Sequence, residues 1–325
     1  MHDWRARDFV ARSPVCLIAW GSEYVVESAQ LSVIVTTYNE GEELHRTLRS
    51  VVQNTACLRE IIVVDDGSTD GACEAIPPGM ARVIRHSNRI GIAYSRDEAS
   101  KAARGNVFCY LDAHQRLSPG CLDQCAQHAL AQRSIVSPDI RDFGLFNWRM
   151  HGADFELCPK RGYFSARWRQ WFQLRRITQV TGLRAPAYLI PSSVYARVGW
   201  SPMLRGWGAS EASVGVRAFF SGTPIHHLRG PLSRHRFQNS SQFPVSWDEI
   251  YRNQAIIARI CFDDEAWLNY WLPLLGPHLT AATQAELDST EMHAEREQFR
   301  NHKIRPDREF WTHLLRKSVP SVLGG

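Results

Sequence analysis

The sequence predicts an α/β fold built on a largely parallel sheet, and three observations carry that prediction. Between Leu31 and Leu111, short apolar runs alternate with runs of helical spacing. The apolar runs are continuous rather than alternating, as expected of strands covered on both faces. Three of them stop abruptly in polar clusters: Thr37-Tyr38-Asn39-Glu40, Asp65-Asp66-Gly67-Ser68-Thr69-Asp70 and Asp112-Ala113-His114.

Leu31 to Thr37 reads as the first buried strand. Glu42 to Asn54 then places Leu44, Leu48, Val51 and Val52 on one helical face. Ile61 to Val64 is a second strand, Val83-Ile84 a short third, and His86 to Gly91 a loop. Ile92 to Ala103 is helical and ends at Gly105, and Val107 to Leu111 is the fourth strand. In such sheets ligands sit beyond the carboxyl ends of the strands, so the three polar clusters converge on one edge. Asp112 and His114 stand two residues apart and project to the same side of an extended chain. A carboxylate and an imidazole so placed suit one divalent cation. An isolated D-x-H triplet is equally a strand-terminal Asp capping a turn; the neighbouring clusters favour the metal.

VIVTTYNE, IIVVDDGSTD, NRIGIAYSRDEASKAARGNVFCYLDAH and GWGASEASVGVRAFFSG resemble a nucleotide-sugar glycosyltransferase of the GT-A fold, close to the family 2 type. D-x-H in place of D-x-D resembles the polypeptide N-acetylgalactosaminyltransferases. So do FNWRMHGADFELCP, RAPAYLIPSSVYARVGW, SRHRF and RNQAIIARICFDDEAWLNYW. The resemblance covers residues 30 to 271. It implies a Rossmann-like mixed sheet flanked by helices, with a C-terminal helical appendage. The expected organisation is an N-terminal extension (1–29), a catalytic domain (30–262, with a nucleotide-sugar half at 30–135 and an acceptor half at 136–262), and the appendage (263–325).

The resemblance also implies site residues. Tyr38 would lie against a uracil base with Thr36 near it, and Asp66 would accept from the imide N–H, a donor that cytosine lacks. Asp66 and Asp70 equally suit a turn and a helix N-cap. Arg96 would face the diphosphate, although Asp97 follows it where many relatives have Asn. Asp112, His114 and His235 would hold Mn²⁺ (or Mg²⁺), acting as a Lewis acid on the diphosphate of a UDP-sugar. His226 and His227 compete for the third position, but in a strand they point to opposite faces. Trp207 is expected at the acceptor. Arg217 stands ten residues after Trp207, which puts Ser210 at the usual Glu position and Glu211 where inverting enzymes carry a base. Glu211 also suits a first helical turn, favoured by the dipole.

Bulk properties agree with a globular enzyme. At 325 residues and 44% hydrophobic composition the chain can bury a large core. No apolar run approaches the ~20 residues of a membrane span, and MHDWRARDFVARSPVCLIAW is too interrupted by charge for a signal peptide. A cytoplasmic location is expected. The eight cysteines show no zinc-type pairing and read as reduced thiols, most of them core fillers. The acceptor is the least legible part. Lys160 to Arg176 mixes Arg167, Arg169 and other cations with Trp168, Trp171 and further aromatics, and contains no acid. That suits a nucleic-acid strand or an amphipathic helix or loop with core aromatics. A net charge of +5 does not decide between them. A peptide or protein hydroxyl follows from the resemblance, and a hydroxymethylated DNA base, flipped from the duplex, from this segment. A glycan or small molecule comes third. A non-catalytic sugar-nucleotide or nucleic-acid binding module is the alternative of another class.

Overall fold

The computed structural model describes residues 28–143, 149–158, 160–170, 174–184, 186–237 and 243–323. Strand β1 (Leu31–Thr37), helix α1 (Glu42–Asn54), β2 (Leu58–Asp65), β3 (Arg82–Arg85), α2 (Ile92–Ala102) and β4 (Val107–Asp112) follow the predicted alternation closely. Then come β5 (Gln115–Leu117), α3 (Cys121–Gln132), β6 (Ile135–Asp142), β7 (Arg149–Met150), β8 (Ala153–Cys158), β9 (Tyr163–Trp168), β10 (Ile177–Val180) and β11 (Ala187–Pro191). Helices α4 (Ser192–Val198) and α5 (Ser210–Phe220), strand β12 (Ile225–His235) and helix α6 (Trp247–Cys261) follow. Part of the basic aromatic segment, Tyr163–Trp168, is thus a strand of the β8–β9 hairpin, not a helix or loop.

The main sheet runs β10-β12-β6-β11-β4-β1-β2-β3, with β5 and β7 paired onto β12 and β6. Strands β3, β2, β1 and β4 are mutually parallel. Beyond them β11 runs antiparallel to β4 and to β6, so the sheet is mixed. Both faces are covered. In β1, Leu31, Val33 and Val35 enter one core and Ile34 the other; in β4, Val107, Cys109 and Leu111 separate from Phe108 and Tyr110 in the same way. This two-residue alternation is the pleat itself, and burial on both sides explains why the strands read as unbroken apolar runs.

The segment after Asp263 is helical and shares a core with the sheet. Trp267, Trp271, Phe299 and Phe310 belong to the same buried cluster as Phe155, Phe164 and Phe220. Trp271 and Phe164 lie 4.9 Å apart between ring centroids. Among the described residues no helix is long and apolar enough to cross a membrane, and all seven described cysteines are free thiols.

Two glycines join the start of α2 to the loop before α5. Gly91, at the start of α2, forms a parallel bridge with Gly206 in the loop before α5, and the Gly206 N–H donates to the Ile90 carbonyl at 2.7 Å. Gly91 has φ +120°, and a Cβ there would lie 2.3 Å from the Gly206 oxygen. Gly71 also has positive φ (+75°) but open space around it. Gly71→Ala should therefore cost about 1 kcal/mol from backbone strain alone. Gly91→Ala should cost clearly more, roughly 2–4 kcal/mol, because strain and a backbone collision add. Urea unfolding of the two variants compares them directly.

Candidate active site at the carboxyl edge of the sheet

The parallel strands deliver their polar ends to one edge, as the pattern required. Thr36 stands beside Asp112 in the β1–β4 register. The first two clusters are laced together. Asn39, at φ +52°, accepts from the Thr69 N–H at 2.8 Å and donates its own N–H to the Ser68 hydroxyl at 3.0 Å. Asn tolerates this left-handed conformation better than most residues. Asp70 accepts from the Gly41 N–H at 2.8 Å.

Asp112, His114 and His235 do converge: one ligand atom from each lies within 4.8 Å of the others. His235 Nε2 is 3.2 Å from Asp112 Oδ2, and the two imidazole rings are 4.6 Å apart. β12 pairs with β5, directly after the D-A-H turn, and this register brings His235 to Asp112. His114 Nδ1 lies 3.0 Å from Glu40 Oε2, close enough for an ion pair but out of hydrogen-bond alignment, which leaves Nε2 for a ligand. His235 Nδ1 is buried without a hydrogen-bond partner among the described residues. The donor set, one carboxylate and two imidazoles, fits a divalent cation. Burial alone would raise the Asp112 carboxyl, but the His235 hydrogen bond and the Arg96 charge outweigh it and hold it below its ordinary range. Burial would lower His114, and Glu40 and Asp112 raise it instead. Glu40 was visible in the sequence only as the end of TYNE; its role depends on which way His114 turns.

Arg96, expected to face the diphosphate, has its guanidinium held among protein groups. It is fully buried. Nη2 donates to Asp112 Oδ1 at 3.2 Å, Nη1 donates to the Tyr188 hydroxyl at 3.1 Å, and Nη1 also donates to Glu211 Oε1. Its guanidinium therefore bridges the metal-edge carboxylate and the candidate base. Glu211 lies in the first turn of α5, with its side chain 21% exposed, and its charge, after burial, helps raise the Tyr163 hydroxyl. Neither Tyr188 nor Tyr163 was singled out in the sequence.

Asp66 is an anchor as well as a candidate base contact. Its Oδ1 accepts from the Ile90 N–H at 2.8 Å and Oδ2 from the Gly91 N–H at 2.9 Å. His86 Nδ1 stands 2.8 Å from Oδ1. An imide N–H would take the remaining one of roughly four lone-pair directions. Tyr38 packs edge-on against Phe243 at 5.9 Å, and the Arg89 guanidinium lies 4.4 Å over the Phe243 ring. These two neighbours come from loops whose sequence shows no periodicity.

On the acceptor side, Trp207 is 38% exposed. Its N–H donates to Glu249 at 3.1 Å, and Asn253 donates to the Arg205 and Gly208 carbonyls at 2.7 and 3.2 Å. Helix α6 thus holds the Trp207 loop. Of the basic aromatic residues, Arg167 is exposed, whereas Arg169 is engaged by Asp154 at 2.6 Å. Trp168 is partly buried, with Arg184 5.5 Å over its ring and Phe237 edge-on at 6.4 Å, and Phe164 is core. Trp171 lies outside the described residues. His226 and His227 face opposite ways, as a strand requires. His226 meets His128, and His227 meets Asp139, so neither joins the edge site.

Residues 32–185 match the family model for glycosyl transferase family 2. Polypeptide N-acetylgalactosaminyltransferase 6 of Mus musculus is 26% identical over 261 residues, 72% of this chain and 42% of the relative. Polypeptide N-acetylgalactosaminyltransferase 3 of Drosophila melanogaster is 25% identical over 322 residues, 88% of this chain and 46% of the relative. The chain spans less than half the length of these curated relatives. Among solved structures, GalNAc-T7 with UDP, GalNAc and Mn²⁺ superposes with a TM-score of 0.69 at 16% identity, covering 91% of this chain and 57% of that one. S. aureus TarS 1–349 in complex with UDP-GlcNAc gives 0.51 at 16% identity, over 84% and 79%. The sheet and these superpositions give a GT-A fold, and residues 32–185 within it carry the match to glycosyl transferase family 2. Within that class, this chain resembles the catalytic domain of the polypeptide N-acetylgalactosaminyltransferases.

The Asp66 anchor generates a pH prediction. Burial would lower His86, but its bonds to Asp66 and Glu98 win and raise it. A raised folded value means the stabilisation is fully present below the unfolded value of about 6.5 and fades as pH climbs through the folded one. The difference in thermal midpoint between the native chain and His86→Gln should therefore be largest near pH 6 and shrink towards pH 9, measured by circular dichroism.

Proposed function

We propose that this chain transfers a sugar from a UDP-sugar to an acceptor hydroxyl with the help of a divalent cation, and that the acceptor is a peptide or protein. The observation that carries this reading is the convergence of Asp112, His114 and His235 at the strand edge, one buried guanidinium away from Glu211. Asp112, His114 and His235 would hold Mn²⁺ or Mg²⁺, which when bound supplies Lewis-acid stabilisation of the leaving diphosphate. Tyr38, Thr36 and Asp66 are the candidates to seat the uridine. Arg96 positions Asp112 and Glu211 relative to one another.

Glu211 is the proposed base. The acceptor oxygen forms its bond to the anomeric carbon, the bond to the diphosphate breaks with its electron pair leaving on UDP, and the hydroxyl proton passes to the Glu211 carboxylate. A base on that side of the sugar gives inversion. The peptide reading is supported by the relatives matched along 72% and 88% of the chain. In the basic aromatic segment that would suit modified DNA, Arg169 is committed to Asp154 and Phe164 to the core, while Lys160, Arg161, Arg167, Arg175 and Arg176 stay exposed.

Removing the cation should abolish most donor affinity. Calorimetry of UDP with Mn²⁺, with EDTA, and with Asp112→Ala should show a loss of about tenfold or more in the latter two; equal affinity in all three would sink the metal assignment.

Glu211→Gln keeps a neutral acceptor for Arg96. It should hold UDP affinity nearly constant while slowing transfer about 10²-fold or more. NMR of the product linkage reads the stereochemistry, with retention refuting inversion. Parallel peptide and hydroxymethylated-DNA acceptors decide the class, and transfer to DNA alone would overturn the peptide reading.

A further inference from the structure

Away from the strand edge, three metal-capable side chains meet in the interior: Asp139 on β6, His151 in the turn between β7 and β8, and His227 on β12. One ligand atom of each lies within 4.8 Å of the others, and all three residues are buried, at 1%, 4% and 0% exposure. His151 Nδ1 and His227 Nε2 approach the same carboxylate oxygen, Asp139 Oδ1, at 2.8 and 2.9 Å. The other oxygen accepts from the Gly230 N–H at 3.1 Å.

We propose that Asp139, His151 and His227 form a second, structural metal site that takes a divalent transition ion of the zinc type. The ligand chemistry fits: two imidazoles and one carboxylate are a recurrent three-residue set for zinc and other first-row ions. The charge fits as well. Among the described residues the ion-pair partners of Asp139 are these two histidines, with no Arg or Lys. A carboxylate so buried needs compensation, and a dication held with the two imidazoles would supply it. The backbone is shaped around the cluster. The β6–β12 register slips between Leu228 and Leu232, and Gly230 in that bulge adopts φ +114°, which turns its N–H to Asp139. Gly152 brings the β7–β8 turn so close that a Cβ there would stand 2.9 Å from the His227 Cβ.

The site would pin the β8–β9 hairpin to the main sheet. His151 donates its N–H to the Arg169 carbonyl at 2.9 Å, and the Arg169 N–H returns to Gly152 at 3.0 Å, so the end of β9 is tied to the same turn. The hairpin carries Arg167 and Trp168, and its placement would depend on the buried ion. This site shares no ligand with the strand edge and stands or falls separately from the proposed transferase chemistry.

The test uses the full chain carrying His114→Ala and His235→Ala, which removes two of the three edge ligands and keeps Asp112 for Arg96. After incubation with Zn²⁺ and desalting, mass spectrometry for metals should find about one equivalent bound, and dipicolinate should lower the thermal midpoint. Adding His227→Ala should remove the bound zinc. Co²⁺ in place of Zn²⁺ should give visible d–d bands that vanish with the same substitution. If His227→Ala does not fold, the chelator response and the Co²⁺ spectrum of the parent variant decide. Less than about a tenth of an equivalent of zinc, with a midpoint insensitive to Zn²⁺ and dipicolinate, overturns the site. Zinc retained in a folded His227→Ala variant overturns it too.

Discussion

Arg96 is the constraint on which the rest of the active edge depends. Its guanidinium is fully buried, and a charge so enclosed is tolerable only with partners in place; removing one partner of a buried pair costs about 3–5 kcal/mol. Those partners come from three places in the chain: Asp112 at the end of β4, Glu211 at the start of α5, and Tyr188 on β11. Two carboxylates close together would otherwise repel. Arg96 lets them stand on either side of one cation, with Asp112 free to share its other oxygen with His235. The relation between Asp112 and the candidate base Glu211 is thus set by a buried ion pair, not by loop geometry.

That arrangement needs α2 and α5 to keep a fixed distance. The Gly91–Gly206 bridge supplies it, because two residues without Cβ atoms let the backbones meet. Asp66 grips the two N–H groups of Ile90 and Gly91 at the head of α2. From the other side, Glu249 and Asn253 of α6 hold the Trp207 loop that leads into α5. Helix α6 is in turn packed by the C-terminal helices, where Arg252 meets Glu286. The C-terminal segment therefore contributes to the site through α6.

The basic aromatic segment shows why composition misleads at an acceptor. Its cations and rings look interchangeable in sequence, yet in the hairpin they separate by face. Phe164 and Ala166 turn inward while Arg167 faces solvent, as strand alternation demands. Arg169 then meets Asp154 across the hairpin base. Lys160, Arg161, Arg167, Arg175 and Arg176 remain exposed.

His235 was implied by the family resemblance, whereas the parallel half of the sheet, the convergence of TTYNE, DDGSTD and DAH at one edge, and the opposite facing of His226 and His227 were legible in the residues themselves. Each rests on local rules: unbroken apolar runs between helices, polar clusters at strand ends, and the alternation of side chains along a strand. Long-range pairing decided the remainder. That Glu40 faces His114, that Arg96 turns inward to Asp112 and Glu211, that Asp66 serves backbone N–H groups, and that Asp139, His151 and His227 share one interior point depend on strand order, a bulge and two glycine contacts. These contacts join residues distant in the chain, and a charged side chain's partner follows from which elements the folded core brings beside it, which no short window of sequence contains.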